Sequence, residues 1–256
     1  RVARVSMYTH SRVSTEQEQM LRSQRGLGKP QEHAVFHDSL ERGLYEAADA
    51  CAHISLPLLY NPNFNGLEAY SETKFRVGDF IARRYRVCAD IGSGAFSTVY
   101  KCHDRHNERM VSVKVLRNGK ERFDSGLGEV RALSLISQHD PLGQRQVMRL
   151  LDYFYHKEHL IIVSELLRDS LLSFYTHLQS KGGRLEYFSP PVLACLSSQL
   201  LDALVFLHEI GITHCDIKPE NVCLTSASPP NFKLIDLGSA VFTFDCHNSY
   251  VQSRWY

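Results

Sequence analysis

The stretch that most limits what this chain can fold into runs from Tyr85 to Cys102. Residues 85–91 (Tyr-Arg-Val-Cys-Ala-Asp-Ile) read as a strand, Gly92-Ser93-Gly94-Ala95-Phe96-Ser97 as a turn, and residues 98–102 as a second strand. A lone G-x-G is weak evidence. The segment after it discriminates: a dinucleotide-binding turn opens into a helix, whereas this one opens into a β-branched strand. Strand, glycine turn, strand is a hairpin, and Gly92 and Gly94 permit its tight turn. Its backbone amides can cover phosphates, with Phe96 at the tip. An ordinary glycine hairpin is the plainer reading of this motif alone. Ser97 stands where a third glycine is often found, which stiffens the loop.

Residues 75–81 form a strand-like lead-in, and residues 110–116 (Met-Val-Ser-Val-Lys-Val-Leu) a third strand. Lys114 is flanked there by valines, and a lysine in an apolar strand costs desolvation unless something anionic meets it. After Asn118-Gly119, Asp124 or Ser125 is positioned to cap a helix containing Leu127, Val130, Leu133 and Ile136. Glu129 lies off that apolar stripe at mid-helix and is the favoured partner. Glu121 is the rival, and a solvated surface position is the plain alternative for Glu129. Gly126 and Gly128 weaken the helix start by about 1 kcal/mol each relative to alanine, so its position is adjustable.

Residues 150–155 and 159–163 suggest two further strands around Lys157-Glu158. The unbroken apolar run 160–163 marks a strand buried on both faces. Ser164-Glu165-Leu166-Leu167 leads into a helix-prone segment, 171–179. The clearest helix comes next: Ser189 caps it, Pro190 suits its first turn, Gly211 closes it. Val192, Leu196, Leu200, Leu204 and Leu207 fall on one face, as a buried helix requires. It delivers the chain to His214-Cys215-Asp216-Ile217-Lys218-Pro219-Glu220-Asn221, an acid, a lysine and an amide on a short, proline-braced loop. Residues 222–224 and 232–235 pair as short strands around Pro229-Pro230, and Asp236-Leu237-Gly238 comes next.

Composition narrows the function classes. The 29 basic and 28 acidic residues leave a net charge of +1, with no nucleic-acid footprint. The seven cysteines form no C-x-x-C pair and the thirteen histidines no H-E-x-x-H, which points to a reducing compartment with mostly buried thiols. No signal peptide is evident, and no apolar run reaches the ~18 residues of a membrane span. Residues 1–73 read as a partly disordered extension, with partner docking the minority alternative. Short helices are expected at residues 15–25 and after Ser39, and Pro57, Asn61-Pro62-Asn63 and Asn65-Gly66 break the rest of the extension into turns. Arg1 in place of methionine reads as a piece of a longer protein.

From about residue 75 onward these motifs resemble a eukaryotic protein kinase. More narrowly, the chain is similar to the dual-specificity, tyrosine-regulated (DYRK) kinases. His214-Cys215-Asp216 is that family's version of the catalytic loop, and Tyr250-Val251-Gln252-Ser253-Arg254-Trp255-Tyr256 resembles its activation segment. The hairpin, with Tyr153-Phe154-Tyr155 and Glu158-His159-Leu160, is closest to plant and protist members.

The resemblance implies an α+β, kinase-like fold: the extension at 1–73, a complete β-rich N-lobe at 74–164, and a hinge with an incomplete C-lobe at 165–256. It implies ATP and Mg2+ as cofactors. Asp216 becomes the catalytic base, Lys218 steadies the γ-phosphate, Lys114 and Glu129 form an ion pair, and Asn221 and Asp236 hold the metal. ATP is met by Ile91, Gly92, Ser93, Gly94, Ala95, Phe96, Ser97, Thr98, Val99 and Lys114, with the adenine near Ser164, Glu165 and Leu167. Tyr250 matches the autophosphorylated tyrosine and Arg254 the partner of its phosphate; the family's preceding tyrosine is Asn248 here. Cys215 replaces an arginine that many kinases use for control, so control through this loop is weaker. Ser164, at the gatekeeper position, implies an open back cavity that accepts bulky ATP-competitive compounds.

The implied activity is transfer of the ATP γ-phosphate to serine or threonine hydroxyls of proteins, near proline and arginine, with tyrosine autophosphorylation. A monomer in the cytoplasm or nucleus is expected, with no nucleic-acid or membrane partner. The chain stops before the family's substrate-binding and Ala-Pro-Glu region, so low activity is expected of it alone. A pseudokinase or nucleotide-binding interaction module is the alternative, against which stand the retained Lys114, Asp216, Asn221 and Asp236. A scaffold acting through residues 1–73 is a third class.

Overall fold

The computed structural model describes residues 2–8, 53–59, 74–180, 185–243 and 253. The chain divides into two compact units, residues 4–56 and residues 57–256 with 1–3. Most of strand β1 (Val2–Tyr8) and most of β2 (His53–Leu59) come from the first stretch. The expected helices at 15–25 and after Ser39 lie outside the described residues.

The second unit opens with a curled antiparallel sheet. Its strands are β3 (Phe80–Ile81), β4 (Tyr85–Ser93), β5 (Ser97–Asp104), β6 (Arg109–Leu116), β7 (Leu150–His156) and β8 (His159–Glu165), in the spatial order β7-β8-β6-β5-β4-β3. Residues Leu58 and Leu59 extend it, pairing parallel to Tyr155 and His156. Pro57, expected to break the chain into turns, stands inside β2. The pairing to β7 starts at Leu58, so the missing N–H of Pro57 removes no bond from that ladder.

Period-2 alternation sets the sheet's faces. Val111, Val113 and Val115 of β6 point into a core with Tyr85, Val87, Tyr100, Cys102, Phe154, Ile161 and Val163. Lys114, between two of those valines, is thereby turned to the other face. β8 is buried from His159 to Ser164, as its apolar run implied. The lead-in at 75–81 is strand only at Phe80–Ile81. A turn precedes it, closed by the Asp79 carboxylate, which accepts the Arg76 N–H at 2.8 Å, and by Gly78 at φ 97°.

Helix α1 (Lys120–His139) begins four or five residues before the expected caps. Gly119, at φ 131°, turns the chain directly into the helix, so Asp124 and Ser125 lie inside it. Ser125 Oγ donates instead to the Gly238 carbonyl, 3.1 Å away. Gly126 does more than weaken the start: a Cβ there would lie well inside contact distance of Leu116 and Leu160. The glycine lets α1 press against β6 and β8.

Beyond β8 the unit is mainly helical, with α2 (Leu171–Ser180) and α3 (Pro190–Glu209). Short strands come after them: β9 (Ile212–Thr213), β10 (Val222–Ala227), β11 (Pro230–Leu234) and β12 (Val241–Phe242), paired as β10–β11 and β9–β12. Ser189 occupies the cap of α3 without a side-chain bond; Pro191 removes one of the two N–H groups, those of the second and third helical residues, that a cap side chain can accept from. Ala203, Phe206 and Leu207 are buried, and Gln199 ties the helix to β11 through Pro230 O and Phe232 N. The helix is not buried throughout as expected. Leu193, Leu201 and Val205 are exposed, a stripe to which no described element is packed. By length and composition α3 also passes as a membrane span, which reading unbroken apolar runs did not show.

Candidate active site

Three elements bring Lys114, Glu129 and Asp236 together. β6 supplies Lys114 in register with Ile162 and Val99, which fixes its backbone from both sides. Its Nζ donates to Glu129 Oε2 at 2.8 Å and Oε1 at 3.0 Å, and to Asp236 Oδ1 at 3.1 Å. Glu129 is only 2% exposed, so it lies on the buried side of α1 rather than off the apolar stripe. A buried carboxylate there is tolerable because Lys114 meets it twice. Glu121, the rival, is an exposed residue in the first turn of α1.

Burial pushes the Lys114 ammonium down, but the combined pull of Glu129 and Asp236 outweighs it, and the ammonium titrates above its ordinary range. Asp236 shows the mirror image: burial pushes it up, and Lys114 with the Gly238 N–H pulls it below the usual carboxylate range. Its backbone is left-handed at φ 61°, where the short side chain can bond the Gly238 amide at 3.4 Å. Leu237, next in the chain, is fully buried.

The second cluster is the loop from His214 to Asn221. His214 Nε2 meets the Ile235 carbonyl at 2.9 Å, tying this loop to the end of β11 and thus to Asp236. Burial pushes the His214 imidazole below its usual value, so it is a neutral strut. Asp216 Oδ2 pairs with Lys218 Nζ at 2.7 Å, and Asn221 Nδ2 donates to Asp216 Oδ2 and to its main-chain carbonyl, both at 2.9 Å. Burial raises Asp216, but bonds from Lys218, Ser253 and Asn221 win, and the carboxyl stays ionised well into the acidic range. Lys218 is raised by the same pairing. Cys215, at φ 64°, turns its thiol toward Thr213 O at 3.5 Å.

One participant is not visible in the sequence. Ser253 Oγ donates to Asp216 Oδ1 at 2.7 Å and accepts from Lys218 Nζ at 3.0 Å. It lies 37 positions from Asp216, and no local pattern announces the contact. The hairpin of β4 and β5 completes the site. Ile91 and Phe96 are exposed on it, and Gly94 N is bonded to Ser97 O at 2.9 Å. Ser164 is buried within β8, and the Glu165 N–H is engaged by Arg149 O while its carboxylate pairs with Lys233. Tyr250 and Arg254 lie outside the described residues.

The chemistry of the donor set suits a hard divalent cation, which takes oxygen ligands. With its amide nitrogen spent on Asp216, Asn221 has its side-chain oxygen to offer. Asp236 likewise directs Oδ1 to Lys114 and Gly238 and retains Oδ2. No metal-holding cluster of three His, Cys, Asp or Glu side chains exists among the described residues, so Asn221 and Asp236 would leave the rest of a cation's coordination to water or substrate oxygens.

A sheet lysine held by a helix carboxylate and by the aspartate after β11, in one unit with a glycine hairpin, defines a domain of kinase fold. The chain belongs to the protein kinase family, whose domain matches residues 85–256. It is 38% identical over 175 residues to the probable serine/threonine-protein kinase yakA of Dictyostelium discoideum, covering 68% of this chain and 12% of that protein. It is 34% identical over 194 residues to the DYRK-family kinase pom1 of Schizosaccharomyces pombe, covering 76% and 17%. Over 178 residues it is 33% identical to human dual specificity tyrosine-phosphorylation-regulated kinase 4, covering 70% and 33%. The relatives are thus of DYRK and YAK1 type, and the chain spans a third or less of their length.

Proposed function

We propose that this domain transfers the γ-phosphate of ATP to serine or threonine hydroxyls of proteins, with Asp216 as the base. The observation that carries the reading is Ser253. Its hydroxyl donates to Asp216 Oδ1 at 2.7 Å while Lys218 Nζ meets the hydroxyl oxygen at 3.0 Å. That is the geometry an attacking hydroxyl requires: its proton aimed at a carboxylate within reach, and a cation beside the oxygen.

In this reading the hairpin residues 91–99 cover the phosphates and Lys114 bonds the α- and β-phosphates. Asn221 and Asp236 would hold Mg2+, which would supply charge neutralisation on the transferring group. The Glu165 N–H is already engaged, so adenine meets carbonyl 165 and the backbone of Leu167. Tyrosine autophosphorylation at Tyr250 is part of the proposal, as is a preference for hydroxyls near proline and arginine. The free thiols at Cys88, Cys102, Cys195, Cys215 and Cys223 fit a cytoplasmic or nuclear setting.

The test is phosphate transfer from radiolabelled ATP, with Mg2+, to serine, threonine and tyrosine versions of one peptide. Transfer to serine and threonine in preference to tyrosine supports the reading. ATP binding with no transfer by the whole protein to any hydroxyl contradicts it.

A further inference from the structure

Glu129 stands between two side chains that tie α1 to the segment following Asp236. One turn before it, Ser125 Oγ donates to the Gly238 carbonyl at 3.1 Å. Half a turn beyond it, the Arg131 guanidinium lies over the Phe242 ring, 3.8 Å from its centre. The negative face of an aromatic ring attracts a cation out to about 6 Å, and a planar guanidinium can stack on it.

Phe242 is a fixed point. It is buried, and its strand β12 pairs with β9, Val241 opposite Thr213 and Phe242 opposite Ile212. Thr243 closes the pairing, its N–H and its Oγ1 both donating to the Gly211 carbonyl, at 3.0 and 3.1 Å. β9 runs straight into His214, whose Nε2 meets the Ile235 carbonyl beside Asp236. The chain from 235 to 243 is therefore bonded at both ends to the strand and loop that lead to Asp216, and Arg131 joins α1 to it.

The helix needs such a tie. No side chain caps the start of α1, Gly119 turns into it at φ 131°, and Gly126 and Gly128 weaken its first turns. Glu129 holds the Lys114 Nζ at 2.8 Å and Asp236 holds it at 3.1 Å. A helix displaced by about 1 Å would carry its carboxylate out of hydrogen-bond reach. Ser125 offers one neutral hydrogen bond from an exposed position, whereas Arg131 bears on a buried ring.

We propose that Arg131 is a positioning residue: through the face of Phe242 it locks α1 to the β9–β12 pair, and so sets Glu129 against Lys114 for nucleotide binding. The proposal rests on the kinase reading above. Were the contact mere packing of the arginine stem, a methionine of similar length would serve as well.

The test measures phosphate transfer to a serine peptide by the protein carrying this domain, with KM for ATP and for peptide taken separately, beside thermal melts. Arg131→Met keeps an apolar stem without the charge, and Arg131→Lys keeps a charge. Arg131→Met should raise KM for ATP about three- to tenfold, within the usual range for loss of a cation from a ring face, and leave KM for peptide unchanged. Loss of folded protein alone would lower kcat and move neither KM. Arg131→Lys should recover most of the ATP affinity, and Phe242→Leu should match Arg131→Met, with the double variant no worse than either. In a Glu129→Gln background Arg131→Met should add less than about twofold, because it acts through Glu129. A KM for ATP unmoved by Arg131→Met, Arg131→Lys as damaging as Arg131→Met, or a full effect of Arg131→Met in the Glu129→Gln background each overturns the proposal. A wild type that binds ATP and transfers nothing would count against the kinase reading instead, and calorimetric ATP affinities of the same variants would then decide the clamp.

Discussion

Glu129→Gln probes the buried pair with the least disturbance of shape. The amide can still accept a bond from Lys114 but carries no charge. Removing one member of a fully buried ion pair costs about 3–5 kcal/mol, because the other charge is stranded. Lys114 is not stranded here, since Asp236 remains at 3.1 Å and the lysine side chain is 21% exposed. The loss is therefore nearer that of one charge-assisted hydrogen bond, about 1.5–3 kcal/mol. Spent on nucleotide positioning, that is roughly 10- to 150-fold in affinity or kcat/KM. The assay is calorimetric titration with ATP and Mg2+, run beside Glu121→Gln and in a double-mutant cycle with Lys114→Met. Glu129→Gln should weaken ATP strongly, Glu121→Gln should not, and the two changes of the buried pair should combine less than additively. An effect of Glu129→Gln under twofold, or an equal effect of Glu121→Gln, would refute the assignment.

The packing sets three further expectations. Asp104 is 1% exposed and holds Arg84 through two 2.8 Å bonds, which keep its carboxyl well below the usual range. Its stabilisation is present above the ordinary carboxylate value near pH ~4 and is lost as pH falls through the lower folded value. Asp104→Asn should thus cost about 2–4 kcal/mol at neutral pH, a gap in urea unfolding that narrows in acid. Gly128 faces open space and Gly126 faces two buried leucines. Gly128→Ala should therefore stabilise by about 0.5–1 kcal/mol, whereas Gly126→Ala should destabilise by about 1–2 kcal/mol and weaken ATP; thermal melts and ATP titration read both. Ser164→Phe should sharply weaken bulky ATP-competitive compounds while sparing ATP, and unchanged inhibition would remove the open back cavity from the account.

Much of this site is legible in the sequence because its parts are local. The glycine hairpin, the lysine between valines, the loop at 214–221 and the aspartate after β11 each announce themselves within a few residues. The features that escape such reading are long-range or depend on burial. Ser253 reaches Asp216 across 37 positions, and the Lys233–Glu165 pair spans 68. Glu129 looks peripheral because a helical wheel counts it as polar, while the structure buries it against a lysine 15 positions away. The start of α1 is misplaced by its side-chain chemistry: Asp124 and Ser125 have the character of caps, whereas Gly119 has the backbone freedom that decides the turn. At α3, Ser189 sits at the expected cap but makes no side-chain bond, and Pro191 removes one of the two N–H groups that could have supplied it.

The most direct measurement of the central claim is the rate of γ-phosphate transfer to a serine peptide by the protein carrying this domain, wild type against Asp216→Asn. The substitution keeps the side chain's shape and its place beside Lys218 and Asn221 but removes the proton acceptor. ATP affinity should stay within a few-fold and the transfer rate should fall by about 10²- to 10⁴-fold, the usual share of general base catalysis. A variant that transfers phosphate at close to the wild-type rate would contradict it.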